Sequence, residues 1–144
     1  MKNIAICIDF SSQTQTLIDA AIPLGEQLKA KIWLIHIAAP EPDFVGYSVG
    51  PDYIREDRAE TLKEEHQFLG EYKDQLKTNG IDCEALLIQG PTVETILNEV
   101  EKLNIDVLVM GKTGHGALHK MLIGSTFDAV IKKAQIPVLA IPLK

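Results

Sequence analysis

Residues 105–126 read IDVLVMGKTGHGALHKMLIGST, and the interpretation of the whole chain depends on them. The stretch begins with the apolar run VLVM, typical of a buried strand, and then breaks into glycines at Gly111, Gly114 and Gly116. A helical pattern begins just after Gly124. A glycine loop allows close backbone approach to an anion, and a helix N-terminus adds free N–H donors and a favourable dipole. The stretch therefore predicts an anion-binding loop between a strand and a helix.

Two common nucleotide-binding motifs are excluded by their spacing. Gly111-Lys112-Thr113 has the appearance of the end of a Walker A loop, but Asp106 stands where such a loop needs its first glycine. No Gly-x-Gly-x-x-Gly follows the first apolar run, so the dinucleotide fingerprint is absent as well. The glycine loop belongs to a different class of anion site.

The composition is typical of one globular domain spanning residues 1–144. Hydrophobic residues make up 46% and charged residues 24% of the chain, whose length suffices for one full core. A net charge of −6 argues against broad nucleic-acid or anionic-membrane binding, which needs a basic face. No apolar run approaches the length of a membrane span, and Asp9 ends the N-terminal run, which reads as a strand. We therefore expect a cytoplasmic protein without a nucleic-acid or membrane partner.

Five apolar runs predict five strands. Three are apolar at most or all positions, as in strands covered on both faces, and two are half-polar or bounded by proline, as in edge strands. In chain order the runs span residues 4–8, 31–37, 81–88, 107–110 and 136–142, and the third and fifth are of the edge type.

Helical patterns separate these strands, and capping residues indicate where the helices begin. Ser12 with Gln15 fits a capping box for the first helix. The second is predicted from about residue 55 to residue 78, before a glycine stop signal. Pro91 is predicted at the first position of the third helix, and Ser125 as the cap of the fourth.

The alternation of strands and helices predicts an α/β fold with one open, five-stranded parallel sheet and helices on both faces. Right-handed crossovers and the two edge strands favour the order 3-2-1-4-5. In that order the winding direction reverses between strands one and four, and ligands bind at the carboxyl ends of strands that flank such a reversal. These ends are Asp9 and Met110-Gly111. The strand order therefore predicts a ligand site beside the glycine loop, and this argument does not depend on the glycine spacing.

The glycine spacing resembles the nucleotide-binding signature of the universal stress protein family, in its ATP-binding branch. Gly111 is followed after two residues by Gly114, and nine residues later by Gly124 and Ser125. The resemblance also covers the strand ending in Asp9, residues 34–37 and residues 136–139, and so extends over essentially the whole chain. It implies a Rossmann-like fold of the adenine nucleotide alpha hydrolase type.

The resemblance assigns a role to each matching residue. Asp9 would contact the ribose, and Ile37 would offer backbone groups to adenine. Met110 and Gly111 would lie along the ribose and phosphates. The phosphates would be bound by the remaining signature residues and their neighbour, namely Gly114, Gly124, Ser125 and Thr126. The implied ligand is ATP, or else ADP or AMP, with Mg²⁺ accompanying the phosphates.

Several other positions bear on this hypothesis. Lys112-Thr113 and Phe127 depart from the family pattern, and a phenyl ring at Phe127 is expected to narrow the γ-phosphate pocket. His36, inside the second strand, is interpreted as a packed, hydrogen-bonded core residue. His115 and His119 have the spacing of helical metal ligands, but the glycines around His115 argue against a helix, so no metal site is predicted.

Three functions are open at this point. The first is a regulatory or signalling dimer of the stress response that binds ATP or a related adenine nucleotide. The second is a slow ATP hydrolase or nucleotide-dependent transferase, for which the loop offers no dedicated base beyond Asp9 or a histidine. The third is a nucleotide-free interaction module. The apolar edge strand at residues 136–142 invites pairing with a second copy, and the resemblance implies a homodimer through the same surface.

Overall fold

The computed structural model describes residues 1–38, 52–113 and 125–143, with side chains for all of these except 52–59, 113 and 125. Within these ranges five strands alternate with four helices, as predicted. In chain order the elements are β1 (Asn3–Cys7), α1 (Thr14–Leu28), β2 (Lys31–Ala38), α2 (Asp52–Thr78), β3 (Cys83–Gln89), α3 (Thr92–Lys102), β4 (Val107–Thr113), α4 (Ser125–Lys133) and β5 (Val138–Leu143).

The strands form one parallel sheet in the order β3-β2-β1-β4-β5, which confirms the predicted order. β1 lies at the centre, where Ile4 pairs with Ile32 of β2 on one side and with Val107 of β4 on the other. The chain therefore winds in one direction from β1 to β3 and in the other from β4 to β5. The reversal between β1 and β4 opens a crevice at the carboxyl ends of these two strands.

Both faces of the sheet are covered by helices, as the continuous apolar runs predict. Successive side chains of a strand point to opposite faces, and in β2 Leu34 and Ile35 are both fully buried on different sides. Leu34 belongs to a core cluster with residues of α1 and α2, and Ile35 to a cluster with residues of α3 and α4. Each central strand therefore contributes side chains to the core on both faces of the sheet.

Asp106 fastens the start of β1 to the start of β4. Its Oδ2 accepts hydrogen bonds from the backbone N–H groups of Lys2, at 2.7 Å, and Asn3, at 2.9 Å. These two donors stabilise the charged form and hold the pKa of the Asp106 carboxyl below its usual value. The residue that excludes a Walker A motif in the sequence thus has a structural role at the amino end of the sheet.

β5 is an edge strand, and its proline, Pro142, stands where the missing N–H costs little. The backbone N–H of Leu108 donates to the carbonyl of Pro137 at 3.1 Å, so alternate residues from 137 onward face β4. Val138, Ala140 and Pro142 then direct their backbone groups away from the sheet. The N–H that Pro142 lacks is therefore not needed for pairing with β4, as expected for an edge position.

The helix termini lie within a few residues of their predicted positions. α2 begins at Asp52, earlier than expected. Pro91 is the N-cap of α3 and not its first residue, because its ψ of 128° is extended. Ser125 is the first helical residue of α4 and not the residue before it. In the described ranges, no helix is both long and apolar enough to cross a bilayer.

Candidate functional site

A cavity of about 220 Å³ opens where the carboxyl ends of β1 and β4 diverge. Five of the eight predicted site residues line it, namely Asp9, Ile37, Met110, Gly111 and Thr126. They come from β1, β2, β4 and α4, which are far apart in the sequence. The sheet reversal therefore brings together residues that were predicted separately, at the position where parallel sheets bind ligands.

The other three predicted residues are the two glycines of the signature and its serine. Gly114 and Gly124 lie outside the described residues. Ser125 is described as the start of α4, but its side chain is not. Because the next residue, Thr126, lines the cavity, the N-terminal end of α4 lies at the cavity wall. The roles assigned to all eight residues remain predictions.

The cavity walls are largely apolar, with a few polar groups between them. The apolar side chains come from both core clusters and include Leu17, Ile35, Ile96 and Leu143. The polar side chains of the lining are Asp9, His36, Thr92 and Thr126. A mostly apolar cleft with a small number of placed polar groups is the usual form of a small-molecule site.

Packing alone favours a glycine at position 111. A Cβ atom added at this position would overlap Leu143 Cδ1 of β5 and lie 3.6 Å from Leu17 Cδ2 of α1. Both leucines line the cavity. The absence of a side chain at Gly111 therefore lets β5 and α1 close around β4, which accounts for this glycine even without a ligand.

Asp9 lies in a tight turn between β1 and α1. Its Oδ1 accepts a hydrogen bond from the backbone N–H of Ser11 at 3.0 Å, and Ser11 Oγ accepts one from Gln13 N–H at 3.2 Å. Asp9 is exposed, and its Oδ2 makes no hydrogen bond to the part of the chain that the structure describes. One carboxylate oxygen thus shapes the turn, while the other is available to a ligand.

The predicted capping box for α1 is wrong. The N-cap of α1 is Gln13, which makes no side-chain capping hydrogen bond, and the helix begins at Thr14. The Gln15 side chain does not reach back to Ser12 but donates to Asp19 and to Gln75 of α2, and Ser11 Oγ accepts from the backbone N–H of Gln13. Asp9 and Ser11 thus shape the turn that leads into α1.

His36 is a cavity residue that sequence reasoning did not assign to the site. Its Nδ1 donates to the backbone carbonyl of Ile8 at 2.8 Å, and its ring centroid lies 4.4 Å from that of Phe10. The expected packed and hydrogen-bonded environment is confirmed, yet the same side chain also lines the cavity. The sequence signal was available, because His36 directly precedes Ile37 near the carboxyl end of a strand adjacent to β1.

Cys7 also lines the cavity, but it offers no nucleophile. Burial raises the pKa of its thiol to about 12, and does the same for Cys83 in β3. Both cysteines are free thiols, as predicted. At neutral pH they are protonated and therefore unreactive.

Phe127 packs against the core cluster of α3 and α4 and is partly buried there. It is not among the described residues that line the cavity. The narrowing of the γ-phosphate pocket by Phe127 stays a prediction, since Gly114 and Gly124 lie outside the described residues.

The sequence matches known proteins over nearly its full length. The model of the Universal stress protein family matches residues 1–142. Universal stress protein MJ0531 of Methanocaldococcus jannaschii is 31% identical over 141 residues, which are 97% of this chain and 81% of that protein. Universal stress protein YxiE of Bacillus subtilis is 26% identical over 141 residues, which are 94% of this chain and 95% of that protein.

Solved structures share the fold. MJ0577 superimposes with a TM-score of 0.80 at 24% identity, covering 99% of this chain and 96% of that chain. A universal stress protein in complex with cAMP gives 0.72 at 19% identity, over 98% and 96% of the two chains. The universal stress protein of Archaeoglobus fulgidus in complex with dAMP gives 0.69 at 17% identity, over 97% of each chain. At these identities the similarity shows the fold alone.

Proposed function

The chain belongs to the universal stress protein family, and on that premise we propose that it binds an adenine nucleotide in the cavity between β1 and β4. The ligand is ATP, ADP or AMP, with Mg²⁺ accompanying the phosphates. The protein then acts as a regulatory or signalling homodimer of the stress response in the cytoplasm. The observation that carries the proposal is the convergence of Asp9, Ile37, Met110, Gly111 and Thr126 on one cavity.

The chemistry of the lining fits the parts of such a ligand. The second carboxylate oxygen of Asp9 accepts hydrogen bonds from ribose hydroxyls. The apolar walls around Ile37 and Met110 suit a flat base. The N-terminal end of α4, at Thr126, offers backbone donors and a positive dipole end to phosphate.

Two further observations agree with this assignment. Two structures of the same fold contain adenine nucleotides, cAMP in one and dAMP in the other. Among the described residues no group of three acidic, histidine or cysteine side chains is placed to hold a metal ion. Magnesium would therefore be carried by the phosphates and water, as it commonly is in nucleotide sites.

Calorimetric titration of nucleotide-stripped protein tests the proposal. We expect ATP, ADP and AMP to bind with dissociation constants in roughly the micromolar range, and GTP to bind at least about tenfold more weakly. The discrimination follows because backbone groups at Ile37 would read the edge of the base. Absence of binding by all three adenine nucleotides at millimolar concentration would overturn the proposal. Rapid, magnesium-dependent release of ADP in the same samples would instead establish the hydrolase alternative.

The homodimer gives a second measurable prediction, at the exposed edge of β5. Leu139 is 38% exposed there, and a lysine on an edge strand opposes pairing with another strand. We expect light scattering of the wild type to give twice the chain mass of 15.9 kDa, and Leu139→Lys to weaken the dimer at least about tenfold. Ile131→Lys is the matched control, because Ile131 is 44% exposed but belongs to helix α4 and not to the edge strand. A wild-type monomer at micromolar concentration would contradict the dimer.

A further inference from the structure

His36 connects three parts of the molecule beside the cavity. Its Nδ1 holds the carbonyl of Ile8 at the end of β1, and its Nε2 lies 3.5 Å from Glu65 Oε2 on α2. Phe10 covers the ring from the turn after β1. The side chains of His36 and Glu65 are only 11% and 20% exposed. The imidazole is thus enclosed, with a partner at each nitrogen.

These partners determine where the protons lie. A carbonyl oxygen only accepts, so Nδ1 of His36 must carry the hydrogen. In a neutral ring Nε2 is then an acceptor, and it would direct its lone pair at the carboxylate of Glu65, which is also an acceptor. The contact is therefore favourable only when the His36–Glu65 pair holds one additional proton. Glu65 Oε2 has no hydrogen-bond donor elsewhere in the described chain that would relieve this requirement.

The same imidazole supports both neighbours of Asp9. Ile8 directly precedes Asp9, and its carbonyl accepts from His36. Phe10 directly follows Asp9 and has a φ of 60°, a left-handed conformation that a residue with a bulky side chain adopts only when its surroundings hold it there. The ring of Phe10 lies against the ring of His36. The turn that presents Asp9 to the cavity therefore depends on the position of His36.

We propose that His36 is a positioning residue of the nucleotide site, which holds the Asp9 turn in its binding geometry while the His36–Glu65 pair carries the additional proton. The inference rests on the proposed function. When the pair loses that proton, two acceptors face each other and the contact between His36 Nε2 and Glu65 becomes unfavourable. Either Glu65 then moves away with its part of α2, or the ring breaks its hydrogen bond to the Ile8 carbonyl. Nucleotide affinity is then linked to the proton and decreases as the pH rises.

The surroundings of His36 indicate that Glu65 is its partner in the pH dependence of nucleotide affinity. On α2 the nearby Phe68 is uncharged and lies 6.0 Å from Phe10. On β3 the register partner of His36 is Leu87, also uncharged. Among the side chains that the structure describes, Glu65 on α2 is the titratable group in contact with the His36 ring, and Asp9 after β1 lines the same cavity.

The variant Glu65→Gln tests whether the contact with His36 requires the additional proton. The glutamine amide donates a hydrogen to Nε2 of the neutral ring, so the contact forms without an additional proton. We expect the affinity of the wild type for ADP, measured by calorimetry, to be about tenfold lower at pH 8.5 than at pH 6.0, because the His36–Glu65 contact is lost with the additional proton. The affinity of Glu65→Gln should change less than about twofold over the same range. Protonation of the ADP phosphates is common to both proteins and cancels in the comparison.

A second pair of variants tests the contact with Ile8. The amide of His36→Asn can donate to the Ile8 carbonyl from about the position of Nδ1, whereas His36→Leu fills similar space without a donor. At pH 6.0 we expect His36→Leu to bind ADP about tenfold more weakly than His36→Asn. Thermal melts followed at Trp33 establish that both variants are folded.

The outcomes distinguish this inference from the proposed function. A pH-dependent wild type with a pH-independent Glu65→Gln supports the positioning role. Equal pH profiles in these two proteins, or equal affinities of His36→Leu and His36→Asn, overturn it while leaving nucleotide binding intact. A wild type that binds no adenine nucleotide at any pH overturns the proposed function and the positioning role together.

Discussion

Asp9→Ala is expected to weaken adenine-nucleotide binding about 100-fold. A hydrogen bond to a charged group contributes roughly 1.5–3 kcal/mol, which corresponds to about 10- to 100-fold in affinity. The upper end applies because alanine removes two acceptors at once: the oxygen available to the ligand and the Oδ1 that holds Ser11 N–H. Asp9→Asn retains an oxygen for Ser11 and loses the charge, so we expect a loss of only about tenfold.

Calorimetry with ADP and the wild type, Asp9→Ala and Asp9→Asn gives the three affinities. Asp82→Ala is the matched control, because Asp82 is also an exposed aspartate but lies just before β3, at the amino end of the sheet. Its affinity should equal that of the wild type. If Asp9→Ala binds within twofold of the wild type, Asp9 is not part of the site.

Leu34→Ala is expected to lower the free energy of unfolding by about 2–5 kcal/mol. Leu34 is fully buried in the central part of β2, in the core cluster shared with α1 and α2. Truncation leaves a cavity that the surrounding strand and helices cannot fill, so the lost packing adds to the lost burial of apolar surface. Because a domain of this kind is stable by roughly 5–15 kcal/mol, the variant should fold but melt at a lower temperature.

Urea titration followed by circular dichroism and by Trp33 fluorescence measures this change. Trp33 is the only tryptophan, and its Nε1 donates to Asn3 Oδ1 at 3.2 Å, so its emission reports on the sheet. Leu28→Ala is the control, since it makes the same chemical change at an exposed position at the end of α1. We expect it to alter stability by less than about 1 kcal/mol. Equal losses in the two variants would mean that burial of Leu34 is not what stabilises the fold.

The strand order could be predicted from the sequence because the burial of a strand determines the pattern of its apolar residues. The runs at residues 4–8 and 107–110 are apolar at every position, which only a strand covered on both faces requires. The proline-bounded run that became β5 could only lie at an edge. Together with right-handed crossovers, these two kinds of strand favour the order that is observed.

Local polar contacts were not accessible in the same way. Asp9, Ser11 and Ser12 can all cap a helix or close a turn, and the sequence pattern alone does not choose between them. The path of the chain after β1 decides which of these side chains closes the turn. Likewise the contacts of His36 with Ile8 and Glu65 join residues of three separate elements. Such contacts are decided by tertiary structure, which a single sequence without aligned relatives does not reveal.

The central position of β1 has a consequence for how the protein folds. β1, β2 and β3 are joined by connections within one half of the chain, and β4 and β5 within the other. Within the sheet the halves join at the β1–β4 pair, beside which the hydrogen bond between Lys2 and Asp106 connects residues 104 positions apart. Contacts of such long sequence separation slow folding, because the entropy of closing the loop is lost before the pairing forms.

The proposed nucleotide site spans this junction. Asp9 and Ile37 come from the first half of the chain, and Met110, Gly111 and Thr126 from the second. Neither half contains a complete site, so the nucleotide binds only after the two have joined. By mass action it then stabilises the joined state over any state in which the sheet has opened along its middle. The proposed ligand would therefore strengthen the pairing of β1 with β4 in addition to occupying the cavity.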